Sequence, residues 1–401
     1  MARCTTNWSV GVFLIGLSGA AQAVDPQPLN PDDPIVVIPT VKLSQGYDDN
    51  VDRLPEGSER GSTVTTVEPD LRFVARAGND SYEFRYTPVF KYYGSSDFDD
   101  RNDVRNNQSL GLNGAAALNR RNRIDLSLDF QREESEITDT NKATILTPDP
   151  SDDETEGDIR QAYRAGLTHT LGADGARGRL TTGVSQLWNR YRTNLTTLSN
   201  NQGKEYDNLN VSSTFYWSVS DKTELSIGGR YSDYDYQWSE SRLDNDVVSG
   251  FVGVSWNMTG KTLGRLRVGQ SEKRFDNNSE RDNDSASWSA SLVWQPVQHS
   301  AFTLATSGDM VEGRQRVGGS ILEDTVEQST YSISWRHDWN SRFSSQLGYA
   351  IQDKDFSGGE NDGRNDEVST VSFGLNYEFQ RWFDLGLEAR FSEGDSTAEI
   401  S

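Results

Sequence analysis

The sequence predicts an all-β protein: a transmembrane, antiparallel, up-and-down β-barrel with about seventeen strands of an expected eighteen. Three observations carry that expectation. Apolar and polar residues alternate with period two in segment after segment, the connections alternate between short and long, and the chain opens on an apolar leader. Period two gives a strand one apolar and one polar face. Many such strands between unequal connections are the pattern of a barrel with lipid outside and water inside.

The clearest segment is residues 381–391. Phe383, Leu385, Leu387, Ala389 and Phe391 share one face, and Asp384, Gly386, Glu388 and Arg390 the other. Composition sets the bounds around it. Of 401 residues 34% are hydrophobic, mean hydropathy is -0.72, and no apolar run approaches the ~20 residues of a spanning helix. A helical membrane protein is excluded. So polar a chain could be disordered, but 10 Trp, 15 Tyr and 16 Phe argue otherwise, since disordered chains are poor in aromatics and barrels gather them at both interfaces. The formal net charge of -22, from 39 basic and 61 acidic residues, excludes nucleic acid as a partner, because that partner requires a basic face.

Residues 1–23 read as a secretory signal peptide. Arg3 gives the positive start, residues 10–17 the apolar centre, and Ala21-Gln22-Ala23 the small-x-small cleavage site. Cys4 is the only cysteine and lies in the leader, so a chain cut after Ala23 has no thiol. Residues 24–37 read as a proline-rich periplasmic tether, because proline at this density blocks helix and ladder alike. Residues 38–401 read as the barrel.

The strand faces follow in order. Tyr82, Phe84, Tyr86, Pro88, Phe90 and Tyr92 oppose Glu83, Arg85, Thr87 and Lys91. Ile124, Leu126, Leu128 and Phe130 oppose Asp125, Ser127 and Asp129, and Tyr163, Ala165 and Leu167 oppose Arg164. Leu225, Ile227 and Tyr231 oppose Ser226, Gly228 and Arg230. Val248, Val252, Val254 and Trp256 share a face, as do Trp288, Ala290, Leu292 and Trp294. Tyr331, Ile333 and Trp335 oppose Arg336, while Phe343, Leu347, Tyr349 and Ile351 oppose Gln346 and Gly348. Phe373, Leu375, Tyr377 and Phe379 oppose Gly374, Asn376 and Glu378. A charge placed on an apolar face costs about 2–4 kcal/mol at mid-membrane, so a one-residue slip of register is disfavoured throughout.

Connections give an independent signal. Short turns fall at residues 78–80, 119–122, 172–178, 220–222, 259–261, 296–300, 340–341 and 380–381. Long acidic connections are read at 47–61, 94–103, 138–157, 196–204, 276–284, 313–323 and 356–366. Short turns belong in the periplasm and long loops outside the cell, which puts the N-terminus in the periplasm of a Gram-negative bacterium. An odd strand count leaves the first strand (from residue 38) and the last (to residue 391) running the same way. The expectation is a missing closing C-terminal strand and a seam that is weak, open or parallel.

Chemistry-bearing residues are few. His169, His299 and His337 stand near the short-turn rim with no convergent serine or carboxylate, so no enzymatic activity, cofactor or catalytic residue is expected. The acidic stretches at residues 97–103 and 276–284 are rich in oxygen ligands that suit calcium, but they lack the spacing of a calcium loop and read as solvated loops. The informative charges are those the register points inward: Arg85, Lys91, Asp125, Asp129, Arg164, Arg230, Arg265, Arg267, Arg336, Glu378, Asp384, Glu388 and Arg390, with Glu83 and Lys273 beside them. They can pair across strands, worth at most ~1 kcal/mol each when exposed, and can line a path for polar solutes. An eighteen-stranded barrel is too wide for side chains to fill.

Gly46-Tyr47-Asp48-Asp49-Asn50-Val51, at the end of the opening strand, resembles the "tyrosine, aspartate, x, asparagine, hydrophobic" start of a family of outer-membrane β-barrel porins. The resemblance runs from residue 38 to the end, in architecture more than in motif, and departs from the family where the closing strand is absent. It implies no catalytic residues, and members of the family often accompany exopolysaccharide or capsule loci. The expected function is a polar, porin-like channel serving polysaccharide export or surface assembly. The alternative is a non-conducting barrel whose acidic loops, with residues 138–157 folded in as a plug, form a surface platform. Expected partners are outer-membrane lipid and lipopolysaccharide, the barrel-assembly machinery, and polysaccharide or small polar solutes.

Overall fold

The alternation is realised strand by strand in a computed structural model that describes residues 2–16, 28–31, 33–51, 57, 59, 61–94, 104–134, 159–173, 175–192, 201–257, 260–277, 281–315 and 321–397. The strands are β1 (Ala2–Gly16), β2 (Ile35–Asp48), β3 (Ser62–Ala77), β4 (Asp80–Tyr93), β5 (Val104–Asn119), β6 (Asn122–Glu134), β7 (Ile159–Leu171), β8 (Gly178–Arg192) and β9 (Tyr206–Ser220). They continue as β10 (Thr223–Tyr236), β11 (Asn245–Asn257), β12 (Thr262–Phe275), β13 (Asn283–Val297), β14 (Ser300–Gln315), β15 (Ile321–Asp338), β16 (Phe343–Ser357), β17 (Asn365–Gln380) and β18 (Phe383–Ser396). Short 3-10 turns at Asn201–Lys204 and Gly359–Asn361 sit in the connections. From β2 to β18 every strand pairs antiparallel with its sequence neighbour. The architecture is an up-and-down, antiparallel, all-β sheet.

Register lines up the two faces from strand to strand. One lateral row reads Leu180, Phe215, Ile227, Val252, Val268 and Trp288 across β8 to β13. All but the half-buried Trp288 are exposed, Ile227 at 59%, which a water-facing surface would not favour and a lipid-facing one does. The adjacent row reads Thr181, Thr214, Gly228, Phe251, Gly269 and Ser287. Phe251 is the one large ring in that row, and it fits because its ladder neighbours are glycines. A Cβ on Gly228 would stand 2.6 Å from the Phe251 ring and 2.8 Å from the Ser213 carbonyl. Gly228→Val should therefore cost about 1–3 kcal/mol by overpacking, read as a lower midpoint in denaturant unfolding, whereas Gly250→Ala, with open space around its Cβ, should be near neutral.

Boundaries differ from the sequence reading in a consistent direction: strands run further. β2 begins at Ile35 and not at residue 38, and β18 continues to Ser396, past the 391 expected. The connection read at 313–323 is mostly strand, since β14 reaches Gln315 and β15 starts at Ile321. Backbone ladders need no apolar side chains once they rise out of lipid, so alternation fades before pairing does.

Seventeen barrel strands, with the first and last running the same way, are as expected; the occupant of the gap between them is not. The seventeen strands from β2 to β18 do not close on each other; β1 lies between them, antiparallel to both. Its ladder with β18 runs from Ala2↔Ser396 to Gly16↔Phe383, while its ladder with β2 covers only Ser9↔Asp48 to Leu14↔Leu43. Counted with β1 the sheet has eighteen strands, and the edges of β2 and β18 do not meet directly. The reason is directional: β2 and β18 run the same way, so the gap between them accepts only a strand running the opposite way if both contacts are to be antiparallel. The segment read as a leader occupies that place.

Candidate functional site: the inner face and its mouth

The inward-register charges occupy the face opposite the apolar belt, and most meet a partner on the same or the next strand. Arg85 grips Asp70 through two hydrogen bonds, Nε to Oδ1 at 2.8 Å and Nη2 to Oδ2 at 3.0 Å, and Thr87 donates to the same carboxylate at 2.9 Å. Asp125 accepts from Arg123 at 2.8 Å. Asp129 and Arg164 stand opposite each other in the β6–β7 ladder. Arg336 pairs with Asp338 at 3.2 Å, and Arg390 with Glu388 at 3.4 Å. The Arg267 guanidinium lies 4.1 Å from the centre of the Phe251 ring, and Arg265 sits opposite Ser255 and Ser291. Lys91 faces Arg105 and Thr66 across its two ladders. Glu378 and Asp384 face each other directly, a like-charge arrangement that costs stability. These groups do not converge on one site; they are spread around the wall.

Arg230 is different. It pairs with Asp309 at 3.4 Å although β10 and β14 lie four strands apart. At ~4.8 Å per strand, a regular sheet would separate them by roughly 19 Å. Three further contacts repeat the anomaly. Glu312 of β14 accepts from Tyr236 Oη of β10 at 3.2 Å, from Asn245 Nδ2 of β11 at 2.9 Å and from Lys273 Nζ of β12 at 3.1 Å. The 3-10 turn Asn201–Lys204, in the β8–β9 connection, also lies against β14.

The cause is visible in the ladders. β13 and β14 pair from Val297↔Ser300 up to Trp288↔Gly308 and no further, whereas β14 stays paired with β15 to its tip. Beyond Gly308 β14 parts from β13 and carries the hairpin tip over the inner face at the end with the long connections, while β15 stays paired with β16 as far as Thr325↔Ser357. Gly308 marks the departure, because a Cβ there would strike the Trp288 ring at 2.3 Å. The groups released from the ladder find new partners: the Asp309 carboxylate accepts from the Met310 amide at 3.0 Å, and Tyr236 Oη reaches the Gly313 carbonyl at 3.4 Å.

Under the hairpin is a packed core. Tyr236, Leu243 and Phe275 are buried, with Tyr206, Tyr234 and Ile321 packed against them. Lys273 is 1% exposed and Glu312 14%, an ion pair closed from water. Lys273 Nζ also donates to the Asp324 carbonyl at 3.2 Å. Asp324 pairs with Arg281, fully buried Glu323 pairs with Arg314, and Asn361 donates to Glu323 at 2.6 Å. Around this core the connection between β10 and β11 is acidic. Burial pushes the Asp244 carboxyl above the ordinary range, the Tyr236 amide that donates to it at 2.9 Å pulls the other way, and Asp235, Asp276 and Asp233 add repulsion.

Sequence reasoning placed Lys273 inward but gave it no role, and Tyr236, Glu312 and Glu323 escaped notice. Tyr234 and Tyr236 are out of phase with Leu225, Ile227 and Tyr231 on the same strand, and that change of parity was the available signal. The loop at 138–157, the plug of the alternative reading, lies outside the described residues, as do the acidic residues 97–103. His299 and His337 come together edge to face at 5.1 Å between ring centres, beside Trp335 and Trp339, while His169 lies apart and meets Asn122 at 3.0 Å. Among the described residues no cluster of three or more His, Cys, Asp or Glu is placed to hold a metal ion.

Comparison with known proteins gives one strong match. A family described as "Putative beta-barrel porin 2" matches residues 35–401, starting at the first residue of β2 and leaving β1 outside. No curated relative matches the sequence. Among solved structures the chain is similar to a siderophore receptor, PirA, from Acinetobacter baumannii (10% identity, TM-score 0.45, 99% of this chain and 81% of that one). It is also similar to a variant of the ferric enterobactin receptor PfeA from Pseudomonas aeruginosa (9%, 0.46, 99% and 81%) and to the FrpB iron transporter from Neisseria meningitidis (10%, 0.41, 99% and 82%). Likeness at this level assigns no cargo to this chain.

Proposed function

The chain belongs to this β-barrel porin family, and from that membership we propose that it forms a polar, water-filled channel through the outer membrane. The observation that carries the reading is the segregation of faces. The exposed row from Leu180 to Val268 demands lipid, while Arg85, Asp125, Asp129, Arg164, Arg267 and Arg390 on the opposite face demand water. Paired arginines and carboxylates around a wide wall give a solute path its field, since clefts with low-dielectric walls focus charge. Residues 1–23 serve as the leader, the short turns face the periplasm and the long connections face out. Export or surface assembly of polysaccharide is the more specific form of this reading, supported by the family resemblance alone.

Planar-bilayer recording of the purified protein tests it. Discrete conductance is expected, with Arg267→Gln shifting ion selectivity towards cations by removing a positive charge from the wall. No conductance from correctly folded protein would leave the second reading, a closed barrel acting as a surface platform. The hairpin across the mouth is the specific observation that favours that alternative.

A further inference from the structure

The hairpin that crosses the mouth leaves behind an edge that fits it. β13 from Asn283 to Ser287 pairs with β12 on one side, while on the other its ladder with β14 stops at Trp288↔Gly308. Continuing that register would place Ser287 opposite Asp309, Ala286 opposite Met310, Ser285 opposite Val311, Asp284 opposite Glu312 and Asn283 opposite Gly313. The upper hairpin therefore has two seats: the observed one over the inner face, and a second in the wall against β13.

The two seats are closely balanced in kind. The wall seat would restore backbone hydrogen bonds and return the row to a regular sheet, but it sets Asp284 beside Glu312, and like charges directly opposite are destabilising. The inner seat gives up those ladder bonds and gains the Lys273–Glu312 pair, the Tyr236 and Asn245 hydrogen bonds to the same carboxylate, and the Arg230–Asp309 and Arg281–Asp324 pairs. Asp309 and Glu312 both meet cations inside, whereas in the wall Glu312 would meet Asp284 and Asp309 would meet Ser287. We infer that the β14–β15 hairpin is a movable strap that exchanges between the mouth and the barrel wall, with Lys273 as its latch. Facing the latched carboxylate are Lys273 on β12, Tyr236 on β10 and Asn245 on β11; facing the strap's other acids are Arg230 on β10, Arg281 before β13, and Arg314 and Asn361 on its own side. An alternative packing available to the same residues is the basis of switching elements generally.

Two cysteine pairs read the two seats, in a chain whose only natural cysteine is Cys4. Ser285→Cys with Val311→Cys would be neighbours only in the wall seat, where a cross-strand disulfide can form. Arg230→Cys with Asp309→Cys are within reach of a short bismaleimide only in the mouth seat; in the wall seat four strand spacings hold them roughly 19 Å apart. Exchange predicts that both pairs cross-link in folded protein in membranes, and that adding Lys273→Met raises the 285–311 product several-fold while lowering the 230–309 product. Cross-linking of 230–309 alone, unchanged by Lys273→Met, would overturn the strap and make the hairpin a fixed part of the mouth; 285–311 alone would overturn the mouth seat. The exchange is independent of whether the barrel conducts. Its consequence for conductance rests on the channel reading: the 285–311 disulfide should raise single-channel conductance and reductant reverse it. Cross-linking of both pairs without any conductance would retain the strap and discard the channel.

Discussion

Leu387→Arg should block assembly or lower stability by about 2–4 kcal/mol, as expected of a charge on the lipid face near mid-membrane. Leu387 sits on the outer face of β18, flanked in the ladder by Leu375 of β17. Glu388→Gln, one residue on, should be tolerated, because Glu388 faces inward, is exposed and meets Arg390 at 3.4 Å. The pair is read as heat-resistant migration on a gel and as the midpoint of unfolding in detergent. Equal behaviour of the two variants would mean that the register of β18 is wrong by one residue.

Lys273→Met should be the most damaging single change at the mouth. Among the described residues it removes the one cation bonded to Glu312 while leaving Tyr236 and Asn245 as donors, and stranding one partner of a buried pair costs about 3–5 kcal/mol. The cost should fall on the hairpin and not on the whole barrel, so limited proteolysis between β14 and β15 would accelerate well before global unfolding changes. Lys273→Met combined with Glu312→Gln should recover much of the loss, since removing both charges leaves no buried ion. Additive losses in the double variant would show that the two side chains are not coupled.

The belt and the inner face were legible because each strand repeats one binary rule, and register then follows from burial of one face. Leu225, Ile227 and Tyr231 declare their side unaided. The mouth was not legible for the opposite reason. Lys273 and Glu312 are separated by 39 residues and by two strands, and nothing local in Asp309-Met310-Val311-Glu312-Gly313 distinguishes a strand that stays in the wall from one that leaves it. The decisive groups lie on other strands, in Trp288 against Gly308 and Tyr236 against Gly313. The direction of the seam was legible, since β2 and β18 run the same way and do not pair with each other, whereas the placement of β1 between them was not, because the apolar centre of a leader is also competent to form a strand.

The seam also sets the order in which the barrel can be made. Every ladder from β2 to β18 joins neighbours in sequence, so each forms by local zipping, whereas loss of the leader that carries β1 would leave β2 and β18, which run the same way, to meet across nearly the whole chain. Closing a loop of that length rather than one of a few tens of residues costs about 2 kcal/mol more in chain entropy, and topologies with distant contacts form slowly. The nascent sheet therefore spends its longest-lived intermediate as a curled ribbon with two bare edges in lipid, where each unsatisfied backbone group costs several kcal/mol. Shielding those edges is the kinetic problem that insertion of this chain has to solve, and two ribbons meeting edge to edge before closure would be its characteristic route to misassembly.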